Sequence, residues 1–105
     1  MTIPEISAED LATRLESGAQ VIDVREPDEW DEAHLAGSYL IPLGQVVDRL
    51  DEIATGSSVY VICRSGVRSA NACEYLRVQG IEAVNVTGGI LAWLDAELPV
   101  ECGPQ

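Results

Sequence analysis

The chain has 105 residues, of which 47% are apolar, and carries a formal net charge of −12 at pH 7. This length suits one domain with a real hydrophobic core, and the apolar share argues against a disordered chain. The acidic balance excludes nucleic acid and anionic membrane surfaces as expected partners, because their phosphates would be repelled.

No stretch stays apolar for the length of a membrane span, so no membrane insertion is expected. The first ten residues lack the basic segment and apolar core of a signal peptide. We therefore expect a soluble cytoplasmic protein. Its organisation is predicted as a single domain over residues 1–105, with residues 99–105 as a tail that could be flexible.

Strand and helix patterns alternate along the chain. In chain order they are a strand or extended lead-in at 3–6, a helix capped by Ser7 and stopped by Gly18, a strand at 20–24, a short acidic helix at 27–32, a strand at 39–41, a helical pattern at 46–53, a strand at 59–62, a helix at 70–79, a strand at 83–86 and a helix at 90–97. In the last helix, Leu91 and Leu94 are predicted to face inward. This alternation predicts an α/β domain with a mostly parallel sheet covered on both faces.

The loop after the strand at 59–62 carries the strongest chemical signal. A strand that ends in a loop opening onto a helix leaves unpaired backbone N–H groups and the positive end of a helix dipole beside Cys63. Arg64 and Arg68 place two of the chain's six cations in the same loop. Both effects lower the pKa of a cysteine and favour an anionic ligand. The competing interpretation is a buried, inert cysteine at a strand end.

The other two cysteines point to no metal or disulfide framework. Cys73 lies on the apolar face of the helix at 70–79 and is predicted to be a core residue, with a resolving thiol as the alternative. Cys102 is predicted to be exposed and incidental, with mixed-disulfide formation as the alternative. With no Cys-x-x-Cys pair and one histidine in the chain, no metal site is expected.

Three polar features have both a structural and a functional interpretation. Asp23 and Arg25 follow a strand at the edge where α/β sites assemble, and can contact substrate or form an ion pair that fixes the loops. His34, the single histidine, is predicted to be structural rather than a general base. The five acids between Glu26 and Glu32 are predicted to form a solvated helix face rather than a docking surface for a basic partner.

The run Cys63-Arg64-Ser65-Gly66-Val67-Arg68-Ser69 resembles the active-site loop of the rhodanese-like sulfurtransferases. Other segments match the family in the same order: Val21-Ile22-Asp23-Val24-Arg25-Glu26-Pro27-Asp28-Glu29-Trp30, Ala33-His34-Leu35-Ala36-Gly37-Ser38, Ile41-Pro42-Leu43, Val86-Thr87-Gly88-Gly89-Ile90, and Trp93 before Leu98-Pro99-Val100. The resemblance implies a three-layer α/β/α rhodanese-like fold with about five strands.

The resemblance also implies a reaction. Cys63 would take a sulfane sulfur from thiosulfate or a related donor as a persulfide and pass it to cyanide or a thiol, with a thioredoxin-like or other protein among the candidate acceptors. No cofactor is implied. The substrate-binding residues would be Arg64 and Arg68, which hold the sulfonate, and Ser65, Gly66, Val67 and Ser69, which contribute mainly backbone donors.

Two other functions compete with this one. Cysteine phosphatases and arsenate reductases use a Cys-x5-Arg loop, whereas Arg68 follows Cys63 after four residues, so the loop is one residue shorter. Some rhodanese-like domains are docking modules or persulfide carriers. The presence of Cys63 with both arginines argues against a purely non-catalytic module, although a carrier stays open.

Overall fold

The computed structural model describes residues 3–104, which fold around one parallel sheet. Its five strands are β1 (Glu5–Ile6), β2 (Gln20–Asp23), β3 (Tyr39–Leu40), β4 (Val59–Ile62) and β5 (Ala83–Val86). Their order across the sheet is β1-β5-β4-β2-β3, and each neighbouring pair is parallel. The predicted α/β class and strand number are therefore confirmed.

Within residues 3–104, three α-helices connect strands, namely α1 (Ala8–Glu16), α2 (Pro27–Glu32) and α3 (Val67–Val78), and a fourth, α4 (Gly89–Asp95), follows β5. Two 3₁₀ segments, Leu43–Gln45 and Val47–Glu52, follow β3. Within residues 3–104, no helix combines the length and the apolar character needed to cross a bilayer.

Two hydrophobic clusters cover opposite faces of the sheet. In β4, Val59 and Val61 pack into the cluster that contains Cys73 and Leu76 of α3. The alternate residues of β4, Tyr60 and Ile62, join the cluster that contains residues of α1 and α4. Because successive side chains of a strand point to opposite faces, a strand covered on both faces reads as an unbroken apolar run. The three-layer arrangement is confirmed.

The central strands bring the candidate site together. β4 lies in the middle of the sheet, and Asp23 at the end of β2 is in register with Ile62 at the end of β4. The backbone N–H of Val24 continues this pairing by donating to the Ile62 carbonyl at 3.0 Å. The residues that follow the two strands, Arg25 and Cys63, thus emerge at one edge of the sheet, as expected for parallel strands.

The phase of α4 differs from the prediction. Ile90 and Trp93 are each only 3% exposed, whereas Leu91 and Leu94 are 42% and 44% exposed. The sequence Ile90-Leu91-Ala92-Trp93-Leu94 contains two apolar stripes with the same i, i+3 spacing, so periodicity cannot choose between them. Hydrogen bonds from the first turn of α4 to the Cys63 loop select the stripe that packs inward.

Two helix boundaries also differ from the prediction. Helix α3 begins at Val67, three residues before the predicted start, so its first turn includes Arg68 and Ser69. The pattern at 46–53 forms 3₁₀ structure with a non-helical residue, Arg49, rather than a regular helix. As a result Val47, one of the apolar residues that suggested a helix, is 60% exposed.

The segment predicted as a tail is hydrogen-bonded to the rest of the fold. The Trp93 indole N–H donates to the Pro99 carbonyl at 2.9 Å. His34 and Glu101 exchange two backbone hydrogen bonds of 2.9 and 2.8 Å, and the Gly103 N–H donates to the Asp31 carbonyl. These contacts run as far as Gly103. Cys102 is exposed, as predicted.

Candidate active site

Cys63 lies directly after β4 with its side chain buried, and two hydrogen-bond donors reach its sulfur. The backbone N–H of Gly66 is 3.1 Å from Sγ, and the Ser69 hydroxyl oxygen is 3.2 Å from Sγ. Gly66 precedes α3 with a left-handed φ of +105°. Glycine adopts this conformation without the steric penalty of a side chain, so the loop can turn back over the sulfur.

These donors lower the pKa of the Cys63 thiol. Burial acts in the opposite direction and raises the pKa, because it disfavours the charged form. The Ser69 hydroxyl and the nearby backbone N–H groups of Ser69, Gly66 and Ser65 together outweigh burial. The expected thiolate is thus favoured mainly by groups of the loop and of the first turn of α3.

Cys73 shows the opposite behaviour. It is fully buried on α3 in the cluster that covers one face of the sheet. Burial raises the pKa of its thiol to about 12, and no comparable set of donors offsets that effect. Its predicted place in the core is confirmed, and its thiol stays protonated near neutral pH.

The two arginines of the loop have different environments. The Arg68 guanidinium makes two hydrogen bonds to the Glu29 carboxylate, at 2.7 and 2.8 Å. This contact holds the pKa of Glu29 down at about 2. Arg64 is exposed, and among residues 3–104 its side chain has no hydrogen-bond or ion-pair partner. Of the two predicted sulfonate ligands, only Arg64 has an uncommitted guanidinium.

The remaining predicted loop residues differ in what they present. Ser65 is exposed and contributes its backbone N–H toward the Cys63 sulfur. Val67 is the first residue of α3, and its side chain is 68% exposed. Ser69 was predicted to act mainly through its backbone, whereas in the structure its hydroxyl also contacts Sγ.

Asp23 and Arg25 form a buried ion pair. Arg25 Nη2 is 2.8 Å from Asp23 Oδ2, and Nε donates to the same carboxylate. The Arg25 guanidinium also donates to the carbonyls of Glu29 and Ala33, at 3.3 and 2.7 Å. The ion-pair interpretation is confirmed, since Arg25 ties the end of β2 to the middle of α2 and to its C-cap residue.

His34 packs against α2. Its Nδ1 lies 2.8 Å from the Trp30 carbonyl, and its ring stacks on the Trp30 indole with centroids 3.8 Å apart. Nε2 is 3.7 Å from a Glu101 carboxylate oxygen. These contacts agree with the predicted structural role. The prediction that the acids of α2 form a solvated face is confirmed for the exposed acids. It is wrong for Glu29, whose carboxylate binds Arg68.

Asn85 is a site residue that the sequence reasoning missed. Its side chain is buried in β5, where Oδ1 lies 2.5 Å from the Ser69 hydroxyl oxygen and Nδ2 donates to the Gly66 carbonyl at 3.1 Å. The Ser69 hydroxyl has a single proton, which it donates either to Asn85 Oδ1 or to the Cys63 sulfur. Asn85 therefore holds both groups that contact the Cys63 sulfur. The available signal was one amide side chain in an otherwise apolar strand, since buried polar groups need partners.

The first turn of α4 closes over the backbone of the loop. Ile90 N–H donates to the Cys63 carbonyl at 2.8 Å, and Leu91 N–H donates to the Arg64 carbonyl at 3.2 Å. At Gly89 a Cβ atom would overlap both carbonyl oxygens. Glycine is therefore required for this close approach, which explains the second glycine of the Gly88-Gly89 pair.

A cavity of about 290 Å³ opens between α2, the Cys63 loop and α4. Its lining residues are Arg25, Glu29, Glu32, Ala33, Arg64, Ile90, Leu91 and Leu94. A larger cavity, of about 470 Å³, is lined by Gln20 and Ser58 among others, at the amino-terminal ends of β2 and β4. The smaller cavity therefore lies beside the loop at Arg64, and Cys63 is not one of its lining residues.

Comparison with known proteins agrees with this geometry. The family model for the rhodanese-like domain matches residues 7–96. A sulfurtransferase of Allochromatium vinosum is 37% identical over 101 residues, which cover 93% of this chain and 94% of that protein. YrkF of Bacillus subtilis, which is named as a sulfur carrier, is 39% identical over 95 residues, which cover 88% of this chain but only 51% of its own length.

A solved structure gives the same result at the level of the fold. The crystal structure of a rhodanese-related protein from Thermoplasma volcanium superposes with a TM-score of 0.88 at 35% identity, covering 93% of this chain and 97% of that one. The family model's match spans β2 to β5 and the loop that carries Cys63. The chain therefore belongs to the rhodanese-like domain family.

Proposed function

We propose that the chain is a sulfurtransferase that moves a sulfane sulfur from thiosulfate, or a related anionic donor, to cyanide or a thiol through a persulfide on Cys63. The observation that carries this proposal is the convergence of the Gly66 N–H and the Ser69 hydroxyl on the Cys63 sulfur, each within 3.2 Å. A buried thiol with a lowered pKa and preorganised donors is suited to nucleophilic attack on sulfur.

In the first half-reaction the Cys63 thiolate attacks the outer sulfur of thiosulfate. A bond forms between Sγ and that sulfur, the sulfur–sulfur bond of thiosulfate breaks, and its electron pair leaves with sulfite. The negative charge then lies on the terminal sulfur of the persulfide. Donors that are already oriented by the fold stabilise this charge without reorganisation.

Arg64 is assigned to the departing sulfonate. Arg64 directly follows Cys63 in the loop, and its side chain is exposed and uncommitted within the described residues. A guanidinium fits the oxygens of an oxyanion. Arg68 is assigned a different role, because its two hydrogen bonds to Glu29 link α3 to α2. Ser65 and Val67 contribute backbone rather than side-chain groups.

In the second half-reaction an acceptor takes the terminal sulfur and Cys63 returns to the thiolate. With cyanide the product is thiocyanate, and with a thiol it is a new persulfide. Two separate half-reactions that pass through a covalent intermediate predict ping-pong kinetics.

A persulfide carrier is the second candidate, favoured by the similarity to YrkF of B. subtilis and its name. In that case a protein thiol, thioredoxin-like or other, would be the acceptor. The phosphatase alternative is weaker, since a Cys-x5-Arg loop needs a free arginine after five residues. Here the nearest candidate, Arg68, follows after four residues and is bound to Glu29.

The test is the intact mass of the protein after incubation with excess thiosulfate. We expect a gain of one sulfur atom, which cyanide removes. Cys73→Ser and Cys102→Ser should gain the sulfur, whereas Cys63→Ser should not. Absence of the gain with thiosulfate and with other sulfane donors, while Cys63 is shown to be a free thiol, would reject the proposed function.

A further inference from the structure

The Ser69 hydroxyl lies between two acceptors that cannot both receive its proton. Its oxygen is 2.5 Å from Asn85 Oδ1 and 3.2 Å from the Cys63 sulfur. A hydroxyl group has one proton to donate, whereas an amide oxygen and a thiolate can only accept. The charge state of Cys63 therefore decides which of the two acceptors binds the proton more strongly.

A second hydrogen bond of Asn85 fixes which end of its amide faces Ser69. Asn85 Nδ2 donates to the Gly66 carbonyl at 3.1 Å, and a carbonyl oxygen has no proton to donate in return. The NH₂ end therefore faces Gly66, and the acceptor end, Oδ1, faces Ser69. Rotation of the amide would place the oxygens of Asn85 and Gly66 against each other, so Asn85 stays an acceptor for the Ser69 proton.

The three groups are buried and their backbone is fixed. Cys63, Ser69 and Asn85 are 1%, 0% and 4% exposed, respectively. The backbone of Asn85 is held on both sides, because β5 pairs with β1 at Glu5 and with β4 at Val61. A hydrogen bond that Asn85 Oδ1 loses is therefore not readily replaced by solvent or by movement of the strand, and its loss has an energetic cost.

We propose that Asn85 is a positioning residue that opposes ionisation of Cys63 by competing for the Ser69 proton. While Cys63 is a thiol, the Ser69 hydroxyl donates to Asn85 Oδ1, and its oxygen accepts from the S–H group. When the Cys63 proton leaves to a base in solvent, the hydroxyl turns about its Cβ–Oγ bond and donates to the thiolate. The S–H bond is the one covalent bond that breaks, and Asn85 Oδ1 loses its donor.

Charged groups around Cys63 act on the sulfur without binding this hydroxyl. They are Arg64 of its own loop, Arg68 and Cys73 of α3, Asp23 of β2 and, through Arg68, Glu29 of α2. Within residues 3–104, no charged side chain hydrogen-bonds to the Ser69 hydroxyl. A change at Asn85 therefore reaches the sulfur through Ser69 while these charges stay in place.

This competition limits how far the loop stabilises the thiolate. The Ser69 hydroxyl lowers the pKa of Cys63, but it must break its neutral hydrogen bond to Asn85 to do so. A thiolate that is stabilised too strongly is a weaker nucleophile, so the limit keeps Cys63 reactive toward sulfur. This significance rests on the proposed function, whereas the ionisation of Cys63 can be measured without it.

The first test is the ionisation of Cys63 in Asn85→Leu, which has a side chain of similar shape but no acceptor. The Gly66 carbonyl keeps a partner in this variant, since it also accepts from the Ala70 N–H at 3.2 Å. We expect the midpoint of the ultraviolet thiolate absorbance against pH to fall by about 0.5–1 pH unit, because the competing neutral hydrogen bond is missing. All proteins carry Cys102→Ser, so that this exposed thiol does not contribute to the signal.

Two further variants separate competition for the proton from support of the loop. In a Ser69→Ala background, Asn85→Leu should leave the midpoint unchanged, because no hydroxyl remains to be released. Asn71→Leu is the matched control, since Asn71 is exposed on α3 and its loss should not move the midpoint. A residue that only supports the loop predicts the opposite sign, because its loss would displace the donors and raise the pKa of Cys63.

A second measurement needs no change at Asn85. The chain has two asparagines, so carbon-13 labelling of asparagine gives two side-chain carbonyl signals in a nuclear magnetic resonance spectrum. The Asn85 signal should shift with the same midpoint as the thiolate absorbance, since Oδ1 loses its donor. The Asn71 signal should stay constant, and the shift at Asn85 should be absent in Ser69→Ala.

The outcomes separate this inference from the proposed function. A raised or unchanged midpoint in Asn85→Leu, or an equal fall in the Ser69→Ala background, would overturn the competition. If Asn85→Leu does not fold, the carbonyl signal decides: constancy through the titration, or an equal shift in Ser69→Ala, would overturn it as well. Neither measurement uses a sulfur donor, so failure to form a persulfide would reject the proposed function and leave this inference standing.

Discussion

Two helices point their amino ends at the same loop but bind different parts of it. Helix α3 begins after Gly66. The Gly66 N–H and the Ser69 hydroxyl in the first turn of α3 contact the Cys63 sulfur. Helix α4 begins after Gly88, also a left-handed glycine with φ of +74°, and donates to the carbonyls of Cys63 and Arg64. At both helix starts, backbone N–H groups that have no partner within the helix find one in the loop. At α3 the partner is the Cys63 sulfur, and at α4 the partners are backbone carbonyls.

This difference separates the groups that affect the reactivity of Cys63 from the groups that hold the shape of its loop. Donors to a thiolate change the relative free energy of its charged and neutral forms, so they affect the pKa of Cys63. Donors to carbonyl oxygens bind a group whose charge does not change in the reaction, so they affect the shape of the loop. Changes at the start of α4 should therefore disrupt folding of the site, and changes at the start of α3 should alter reactivity.

The largest effect is expected for Gly89→Ala. A Cβ atom would overlap the carbonyl oxygens of Cys63 and Arg64 and would require φ of +58°. The free energy of unfolding should fall by roughly 2–4 kcal/mol, because the costs of overpacking and of the left-handed backbone add together. Gly80→Ala is the matched control, since Gly80 has φ of +83° with open space around it. An equal loss in both variants would mean that the contact with the loop contributes nothing.

Gly66→Ala should have a smaller effect on stability and a clear effect on reactivity. Its φ of +105° strains any other residue by about 1–2 kcal/mol. Relief of the strain by rotation of the peptide would move the Gly66 N–H away from Sγ and raise the pKa of Cys63. Alkylation rates measured against pH should show the midpoint shifted upward. An unchanged midpoint would show that this N–H does not stabilise the thiolate.

Ser69→Ala should alter reactivity with little change in the fold. Without the hydroxyl the pKa of Cys63 should rise, because that side chain is a principal group that lowers it. Loss of one hydrogen bond to a charged group should reduce alkylation at neutral pH by about tenfold. Ser69→Thr, which keeps a hydroxyl, should restore much of the rate. Equal rates in Ser69→Ala and the parent protein would contradict the assignment of this donor.

Glu29→Gln should give the smallest effect, of about 1 kcal/mol or less. The pKa of Glu29 is about 2 in the fold against a usual value of 4.5. Stability from the pair with Arg68 is therefore fully present above pH 4.5 and is lost as pH falls toward 2. The variant should be less stable than the parent protein at neutral pH, and its stability should fall less steeply as pH drops from 4.5 toward 2. Parallel curves for the variant and the parent protein would exclude the pair as the cause.

Local features were largely predictable from the residues. The strands at 20–24, 59–62 and 83–86 were predicted within one residue of their observed bounds. Short apolar runs rich in β-branched residues are typical of parallel strands that are buried on both faces. The acidic helix at 27–32 was predicted with its observed bounds, since proline at a first turn marks a helix start. The position of Cys63 after the central strand followed from the same local pattern.

The residues alone thus determined the class of fold, the order of its elements and the place of the candidate nucleophile, because each depends on neighbours within a few positions. Only the tertiary structure decided which stripe of α4 faces inward, that Arg68 is paired with Glu29, and that Asn85 holds Ser69 and Gly66. Arg68 and Glu29 are separated by 39 positions, and nothing local distinguishes Glu29 from the acids around it. Contacts of this kind are set by how helices pack across the sheet, which periodicity along a single element does not encode.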